Sequence, residues 1–347
     1  MLDTHRDEST GPAPETIGST SAFSLLRERV HQIGLDFSVY PGGPPADPRS
    51  VVLWDIGSFA VAPGALRRGS LIAWCLESPL VAHRAFGRLP AVARQSHAVL
   101  TFAGARTLLG GIGRFVPILY PNRSRDIMTD PNWSQREFLV MINSNKRAHP
   151  GPEMMSLRKP YRAARVAAAA TLARISRSRG RLPADLYELR LDALSHFSGR
   201  PGFSLYGVGW DRPVWGRRGL RVGSSYRGPI RDKQRVLNRY SFSLCFENTS
   251  FPGYITEKII DCFFAGTIPV YLGAPDVEHY IPAGSFIDAR DHRDLTELED
   301  RLRSIGPNEA MAFLETARSF VASDRFKPFT DEAFVDTFIE MIRDVAA

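Results

Sequence analysis

The sequence predicts an α/β protein of two domains, each built around a mostly parallel sheet. Short β-rich runs alternate with spans long enough for helices, which is the rhythm of parallel α/β sheets. The 347 residues exceed what one hydrophobic core usually organises. With 44% hydrophobic and 23% charged residues, the composition is that of a globular protein and indicates neither disorder nor a fibrous architecture.

The first domain is predicted over residues 21–135. Residues 1–20 are rich in Pro, Ser, Thr and Gly, so we expect a flexible tail there. Folded structure is expected from near Phe23, where FSLLRERVHQIG has an apolar stripe at helical spacing and LDFSVYP follows as a short strand. Further strands are predicted in the runs SVVLWDIG, SLIAWCLES and HAVLTFAG.

The second domain is predicted over residues 136–322. Its strands are expected in REFLVMINSN, GFSLYGVGW, YSFSLCFEN, TIPVYLG and SFIDA, with the helix TEKIIDCFFAG between the third and fourth of these. Residues 323–347 contain an amphipathic helix that we expect to pack back across the domains. The chain is therefore predicted to form two Rossmann-like domains that face each other across a cleft.

An alanine-rich, basic helix is predicted as an insertion over residues 152–181. It could contact anionic lipid or a polyanionic acceptor, although a charged helix face is more often simply solvated. Much of the excess behind the net charge of +7 lies between Lys146 and Arg235, and this charge fits a nucleic acid, an anionic membrane surface or a phosphorylated small molecule. Composition alone does not choose among these partners.

The three cysteines and the N-terminus bear on the cellular compartment. The cysteines are far apart, form no CxxC pair and sit in apolar runs, which favours a reducing compartment. The N-terminus lacks the apolar stretch of a signal peptide, and no run of about 18 apolar residues follows. We expect a cytoplasmic protein, and we keep open a peripheral contact of the basic insertion with the inner face of the cytoplasmic membrane.

Residues 240–274 form the stretch of the sequence that is most informative about a ligand-binding site. Phe242, Leu244 and Phe246 alternate as one buried strand face, after which Glu247 and Asn248 are expected to emerge at the strand's carboxyl end. Ligands of open α/β sheets bind at that edge. The run therefore points to a binding site directly after this strand.

A helix start follows this strand. Thr256 is a plausible N-cap, Glu257 and Lys258 occupy the first turn, and Gly266 ends the helix. The unpaired N–H groups and the helix dipole suit a phosphate, Lys258 adds a full charge, Glu257 can accept from ribose hydroxyls, and Tyr254 can cover a ring. Each residue alone fits ordinary capping, but together they predict a nucleotide-diphosphate site.

FENTSFPGYITEKIIDCFFAGTIPVYLGAP resembles the signature of the α-1,3-fucosyltransferases, glycosyltransferase family 10. The likeness is close over 226–286 and weaker in LYELR, SLYGVGW, INSNK and WCLES. The resemblance implies a GT-B fold, GDP-fucose as donor and a glycan acceptor, with fucose added α-1,3 to GlcNAc of a Gal/GlcNAc unit. The donor-binding residues it implies are Arg190, Asn248, Tyr254, Thr256, Glu257 and Lys258.

Two of the implied roles depend on position in the fold. Arg190 would be a second cation on the diphosphate, and its alternative reading is a surface arginine on a helix. An inverting transfer needs a base on the acceptor side, and the resemblance implies Glu77 at the end of LIAWCL. Burial beside Trp74 and Leu76 would raise the pKa of Glu77, whereas the alternative is a solvated glutamate at a strand end.

Several well-known catalytic, metal-binding and nucleotide-binding motifs are absent from the sequence. The sequence has no DxD, HExxH, zinc-spaced Cys/His cluster, EF-hand loop, GxSxG elbow or Walker loop, so we expect no metal or other cofactor and disfavour hydrolases and NTPases. Two alternatives stay open: a GT-B transferase of another nucleotide sugar, and a catalytically silent nucleotide-sugar or glycan-binding protein. Nucleic-acid binding ranks last, because no matching motif accompanies the charge.

Overall fold

The structure is a computed structural model. It describes residues 2–4, 17–35, 37–39, 51–57, 71–128, 133–145, 185–214, 217 and 219–346. The predicted insertion at 152–181 lies outside the described residues. The predicted α/β class with two parallel sheets is confirmed.

The first sheet has six strands. They are β1 (Leu2–Thr4), β2 (Phe37–Val39), β3 (Val51–Asp55), β4 (Leu71–Trp74), β5 (Ala98–Thr101) and β6 (Phe115–Pro117). Their order is β2-β1-β3-β4-β5-β6, and every neighbouring pair is parallel. The helices of this half are α1 (Ile17–Gln32), α2 (His83–Phe86), α3 (Leu89–Gln95) and α4 (Ala105–Leu109). The strands β3, β4 and β5 coincide with the predicted β-rich runs.

The prediction of a flexible tail over residues 1–20 is wrong at two places. Strand β1 lies between β2 and β3 and pairs with both, and α1 already begins at Ile17. The composition of this stretch argued against burial of side chains. Ladder hydrogen bonds come from the backbone, however, so a three-residue strand can complete a sheet without an apolar signature.

The second sheet has five strands. They are β7 (Glu137–Ile142), β8 (Phe203–Tyr206), β9 (Tyr240–Phe246), β10 (Ile268–Leu272) and β11 (Ile287–Asp288). The order is β11-β10-β9-β7-β8, with all neighbours parallel. From β7 the chain moves outward to β8 and then returns to the other side of β7 as β9. The direction of winding therefore switches between β7 and β9, and the carboxyl ends of those two strands form the expected ligand crevice.

Helices flank this second sheet. They are α5 (Tyr187–Phe197), α6 (Lys233–Asn238), α7 (Glu257–Ala265), α8 (Val277–Tyr280), α9 (Leu295–Ser304) and α10 (Pro307–Val321). The predicted core face of α7 is confirmed, since Ile259, Ile260, Phe263 and Phe264 are buried. The helix ends as predicted at Gly266, whose φ of 66° lies in the left-handed region.

The last helix, α11 (Asp331–Ala346), packs on the first half of the molecule. Its Phe334 and Phe338 share a core with Leu26 and Val30 of α1. The Phe338 ring also meets the Trp74 ring of β4 edge-on, with centroids 6.2 Å apart. The chain thus returns to the first sheet after completing the second. The predicted boundaries, at 21–135, 136–322 and 323–347, stay predictions.

One loop of the second half enters the core of the first. Phe251 and Tyr254, between β9 and α7, are buried in the cluster that contains Phe86 and Phe102. The backbone N–H of Gly104 donates to the carbonyl of Pro252 at 2.9 Å, and a Cβ on Gly104 would lie 2.8 Å from the Phe251 ring. A glycine is therefore required for this close approach.

Candidate active site

A buried carboxylate organises the carboxyl end of β9. Glu247 was expected to emerge there, but it is completely buried. Its Oε1 accepts from the backbone N–H and the hydroxyl of Thr256, both at 2.8 Å, and its Oε2 accepts from Lys258 Nζ at 2.9 Å. A buried charge is tolerated only when it is paired and hydrogen-bonded in this way. Glu247 therefore holds the start of α7 in place through its hydrogen bonds with Thr256 and Lys258.

The first turn of α7 differs from the prediction in one respect. Thr256 occupies the N-cap position with extended backbone, but its side chain makes no capping hydrogen bond. The hydroxyl is engaged by Glu247 and also lies 2.7 Å from Lys258 Nζ. The expected side-chain cap is wrong, because the Thr256 hydroxyl donates to Glu247 and accepts from Lys258 Nζ instead of accepting from a backbone N–H of α7. Lys258 is held at the helix N-terminus by two fixed partners rather than standing as an isolated cation.

Glu257 lies between two ammonium groups. Its Oε1 is 3.7 Å from Lys233 Nζ and 3.7 Å from Lys258 Nζ. Burial alone would raise the pKa of Glu257, but these two lysines outweigh it and lower the pKa to about 2. The carboxylate is therefore ionised at neutral pH and can accept hydrogen bonds from hydroxyl groups.

Lys233 was not singled out from the sequence. It begins α6, and its Nζ contacts Asp261 Oδ2 at 2.7 Å. Burial opposes its charge, but Asp261 and Glu257 raise its pKa, so the ammonium persists. In the sequence, Lys233 is marked only by its position in YRGPIRDK, upstream of β9. That position does not reveal which carboxylates will contact its ammonium group.

Arg190 is buried, which excludes the surface-arginine reading. It lies on α5 with 2% of its surface exposed. Its Nε and Nη2 donate to the carbonyl of Phe246 at 3.0 and 2.7 Å, and Nη2 also donates to Asn248 Oδ1 at 2.9 Å. Burial lowers its pKa from that of a free arginine, but a guanidinium stays charged in proteins.

The remaining nitrogen of this guanidinium is unsatisfied. Nη1 of Arg190 is buried and has no hydrogen-bond partner among the described residues. An unpaired buried donor on a charged group is costly, so this nitrogen is a candidate contact for an anion that binds at the switch point between β7 and β9.

Asn248 and Tyr254 connect this cation to the first domain. Asn248 Nδ2 donates to Tyr254 Oη at 3.3 Å, and the Tyr254 ring packs edge-on against Phe102 with centroids 4.9 Å apart. The aromatic ring that Tyr254 contacts in this structure is therefore Phe102, and its predicted role in covering a ligand ring stays a prediction. A second polar pair, missed from the sequence, joins Tyr187 Oη to Asn145 Oδ1 at 3.2 Å.

Glu77 lies three residues beyond the carboxyl end of β4 and is exposed. The expected burial of Glu77 is wrong, since the residue is exposed although Cys75 before it and Ser78 after it are buried. Its charge nevertheless acts on the second domain. Burial is the main cause of the raised pKa of Tyr254, and the carboxylates of Glu247, Glu77 and Glu257 add to it. Glu77, which follows β4, and Glu257, which begins α7, therefore both act on the Tyr254 hydroxyl.

The described residues contain neither a cluster of metal-ligating side chains nor a helix that could span a membrane. No three His, Cys, Asp or Glu side chains within the described ranges are grouped so that they could hold a metal ion. No helix in the same ranges is long and apolar enough to cross a membrane. The expectations of a metal-free reaction and of a cytoplasmic location stay predictions.

Comparisons with known proteins address the family and the fold. Residues 214–315 match the family model described as glycosyltransferase family 10 (fucosyltransferase) C-term. Alpha-(1,3)-fucosyltransferase FucT of Helicobacter pylori is 40% identical over 91 residues, which cover 26% of this chain and 19% of that protein. The 4-galactosyl-N-acetylglucosaminide 3-alpha-L-fucosyltransferase 9 of Homo sapiens is 36% identical over 93 residues, 26% of each chain. The match thus spans about a quarter or less of these relatives.

Among solved structures, Anabaena HepE in complex with UDP and glucose is similar with a TM-score of 0.55 and 11% identity, covering 99% of both chains. At that identity the likeness shows the fold alone. The predicted resemblance to family 10 and the predicted GT-B fold are confirmed.

Proposed function

We propose that this chain, which carries a family 10 fucosyltransferase C-terminal domain at residues 214–315, transfers L-fucose from GDP-fucose to a hydroxyl of a glycan acceptor with inversion. The observation that carries the proposal is the buried guanidinium of Arg190, whose Nη1 has no partner within the described structure. It lies at the switch point of the second sheet, where a nucleotide diphosphate would bind.

Two cations are available to the diphosphate. Lys258 Nζ pairs with the buried Glu247, whereas the Arg190 guanidinium is held by the Phe246 carbonyl and Asn248. The positive dipole end of α7 adds a further attraction for phosphate oxygens. Together these groups would neutralise the charge that develops on departing GDP, without a metal ion.

The nucleoside would be held beside the diphosphate. Glu257 is ionised at neutral pH and can accept hydrogen bonds from the ribose hydroxyls. Asn248, Thr256 and Tyr254 then act mainly by fixing the cations and the loop, through the hydrogen bonds described above. Their participation in donor binding is part of the proposal.

Glu77 would act as the general base. Its exposed carboxylate takes the proton of the acceptor hydroxyl, and the resulting oxygen attacks C1 of fucose on the face opposite GDP. The bond between C1 and the phosphate oxygen breaks, and its electron pair leaves with GDP. The exposure of Glu77 makes its carboxylate accessible to an acceptor that arrives from solvent.

For the acceptor we propose a Gal/GlcNAc-type unit, fucosylated α-1,3 on GlcNAc. This proposal is supported by the name of the Homo sapiens relative, a 4-galactosyl-N-acetylglucosaminide 3-alpha-L-fucosyltransferase. We further propose a cytoplasmic enzyme without nucleic-acid partners, in which the basic stretch 152–181 makes any peripheral membrane contact. That stretch lies outside the described residues.

A transfer assay tests the function. Purified protein is incubated with GDP-fucose and N-acetyllactosamine, with EDTA present, and the product is analysed by mass spectrometry and NMR. Formation of an α-linked fucoside on GlcNAc supports the whole proposal. Release of fucose without transfer would direct the search to another acceptor, and transfer from a different nucleotide sugar would overturn the assignment of the donor.

A further inference from the structure

Helix α6 is attached to the end of α7 by side-chain hydrogen bonds. Asn238 Nδ2 donates to the carbonyl of Ala265 at 2.8 Å. The hydroxyl of the buried Thr267 donates to the carbonyl of Leu237 at 2.7 Å. The backbone of α6, from which the Lys233 side chain starts, is therefore held at a fixed place beside α7.

The ammonium group of Lys233 contacts two carboxylates of α7. Asp261 lies one helical turn after Glu257, so both side chains are on the same face of the helix. Lys233 Nζ is 2.7 Å from Asp261 Oδ2 and 3.7 Å from Glu257 Oε1. The side chains of Lys233, Glu257 and Asp261 are 25%, 26% and 8% exposed. Solvent therefore screens these ion pairs less than it would screen a pair on the surface.

Asp261 is also held from a second side. Its Oδ1 accepts from Arg125 Nη1 at 3.3 Å, and Arg125 belongs to the segment that follows β6. A buried carboxylate that pairs with two cations is a fixed partner for each of them. Lys233 is therefore anchored on Asp261, whereas its longer contact with Glu257 leaves that carboxylate able to accept hydrogen bonds from a ligand.

Lys233 and Lys258 act differently on Glu257. Burial alone would raise the pKa of Glu257, but Lys258 and Lys233 together lower it to about 2. Lys258 pairs more closely with Glu247, at 2.9 Å, and is assigned to the diphosphate in the proposed function. Lys233 pairs with carboxylates of α7 instead. It is therefore the cation whose contacts suit it to hold Glu257 in place.

We propose that Lys233 is a positioning residue for donor binding: its ammonium group, anchored on Asp261, holds the Glu257 carboxylate where it accepts hydrogen bonds from the ribose hydroxyls of the nucleotide. The inference rests on the proposed function, in which Glu257 contacts the ribose. It adds a residue of α6 to the donor site and requires that Lys233 affect nucleotide binding through Glu257.

The first test measures GDP affinity by calorimetry, with EDTA present, in two variants of Lys233. Lys233→Met removes the charge but leaves Arg125 paired with Asp261. It should weaken GDP binding about 5- to 20-fold, which is part of the effect of one hydrogen bond to a charged group. Lys233→Arg keeps the cation and should bind GDP within about 2-fold of the wild type.

The matched control is Lys327→Met. It makes the same charge change in an exposed ion pair, in which Lys327 Nζ lies 2.8 Å from Asp324 Oδ1 and the lysine side chain is 74% exposed. Because solvent screens such a pair, GDP affinity should stay within about 2-fold of the wild type.

A double-variant cycle tests whether Lys233 acts through Glu257. Glu257→Gln alone should weaken GDP binding about 10- to 100-fold, as for loss of a hydrogen bond to a charged group. Adding Lys233→Met to Glu257→Gln should change the affinity by less than about 2-fold, because substitutions that act on one contact are not additive.

Four results would overturn the inference. They are unchanged GDP affinity in Lys233→Met, an equal loss in Lys233→Arg, unchanged affinity in Glu257→Gln, and full additivity in the double variant. Each of these leaves GDP binding by the wild type intact and so removes only the role of Lys233. Failure of the wild type to bind GDP would remove the proposed function itself. Thermal unfolding of every variant checks that it is folded.

Discussion

The pairing of Lys258 with Glu247 predicts that one substitution will damage both stability and donor binding. Lys258→Met removes the ammonium 2.9 Å from a carboxylate that is fully buried. Removing one partner of a buried ion pair costs about 3–5 kcal/mol, because the other charge stays uncompensated. Thr256 still donates to Glu247, so we expect a loss of about 3 kcal/mol in the free energy of unfolding, at the lower end of that range.

A double variant separates the two effects. Lys258→Met with Glu247→Gln removes the uncompensated charge while an amide oxygen still accepts from Thr256, so most of the lost stability should return. GDP affinity should not return, because the cation is still missing, and it should stay lower by about 1.5–3 kcal/mol, as for loss of a charged hydrogen bond. Urea unfolding and calorimetry with GDP measure the two quantities. Recovery of GDP affinity in the double variant would refute a direct role of Lys258 in phosphate binding.

Three further predictions follow from the same site. Glu77→Gln should abolish transfer while GDP affinity stays nearly unchanged, since the carboxylate acts on the acceptor; substantial transfer in a single-turnover assay would remove its role as base. Arg190→Lys keeps the charge but cannot bond Phe246, Asn248 and a phosphate together, so GDP should bind about 1.5–3 kcal/mol more weakly by calorimetry, and full affinity would contradict the phosphate contact. Because the pKa of Glu257 is lowered from 4.5 to about 2, its ion pairs stabilise the fold fully above its ordinary pKa, and that stabilisation is lost progressively as the pH falls from there through the lowered pKa. GDP binding should therefore show no loss caused by Glu257 between pH 7 and pH 5, and a loss in wild type that is absent in Glu257→Gln would show that its pKa is not depressed.

Much of the fold was predictable because its elements have strong local signatures. The alternating strand Tyr240–Phe246 and the helix Glu257–Ala265 combine clear apolar periodicity with a helix start and a glycine stop. The segment around Ile17 lacked such a signature, and Leu2–Thr4 forms a strand through backbone pairing alone. The apolar pattern therefore predicted the strands and helices whose side chains form the core. It did not predict β1, whose place in the sheet depends on backbone hydrogen bonds.

The identities of the site residues were more predictable than their electrostatic partners. The motif placed Lys258 and Glu257 at the start of α7 correctly, but their pairing with Glu247 and Lys233 depends on how separate elements pack. The burial of Arg190 was likewise not predictable from the weak resemblance of LYELR. The exposure of Glu77 depends on a turn after β4 that apolar neighbours in the sequence did not reveal.

The central claim is that the crevice at β7, β9 and α7 holds a GDP-sugar without a metal ion. The most direct test is calorimetric titration of the purified protein with GDP-fucose, GDP-mannose, UDP-glucose and UDP-galactose, with EDTA present throughout. The account predicts selective binding of GDP-fucose under these conditions. Preference for a UDP-sugar, or binding that appears only when a divalent cation replaces EDTA, would contradict it.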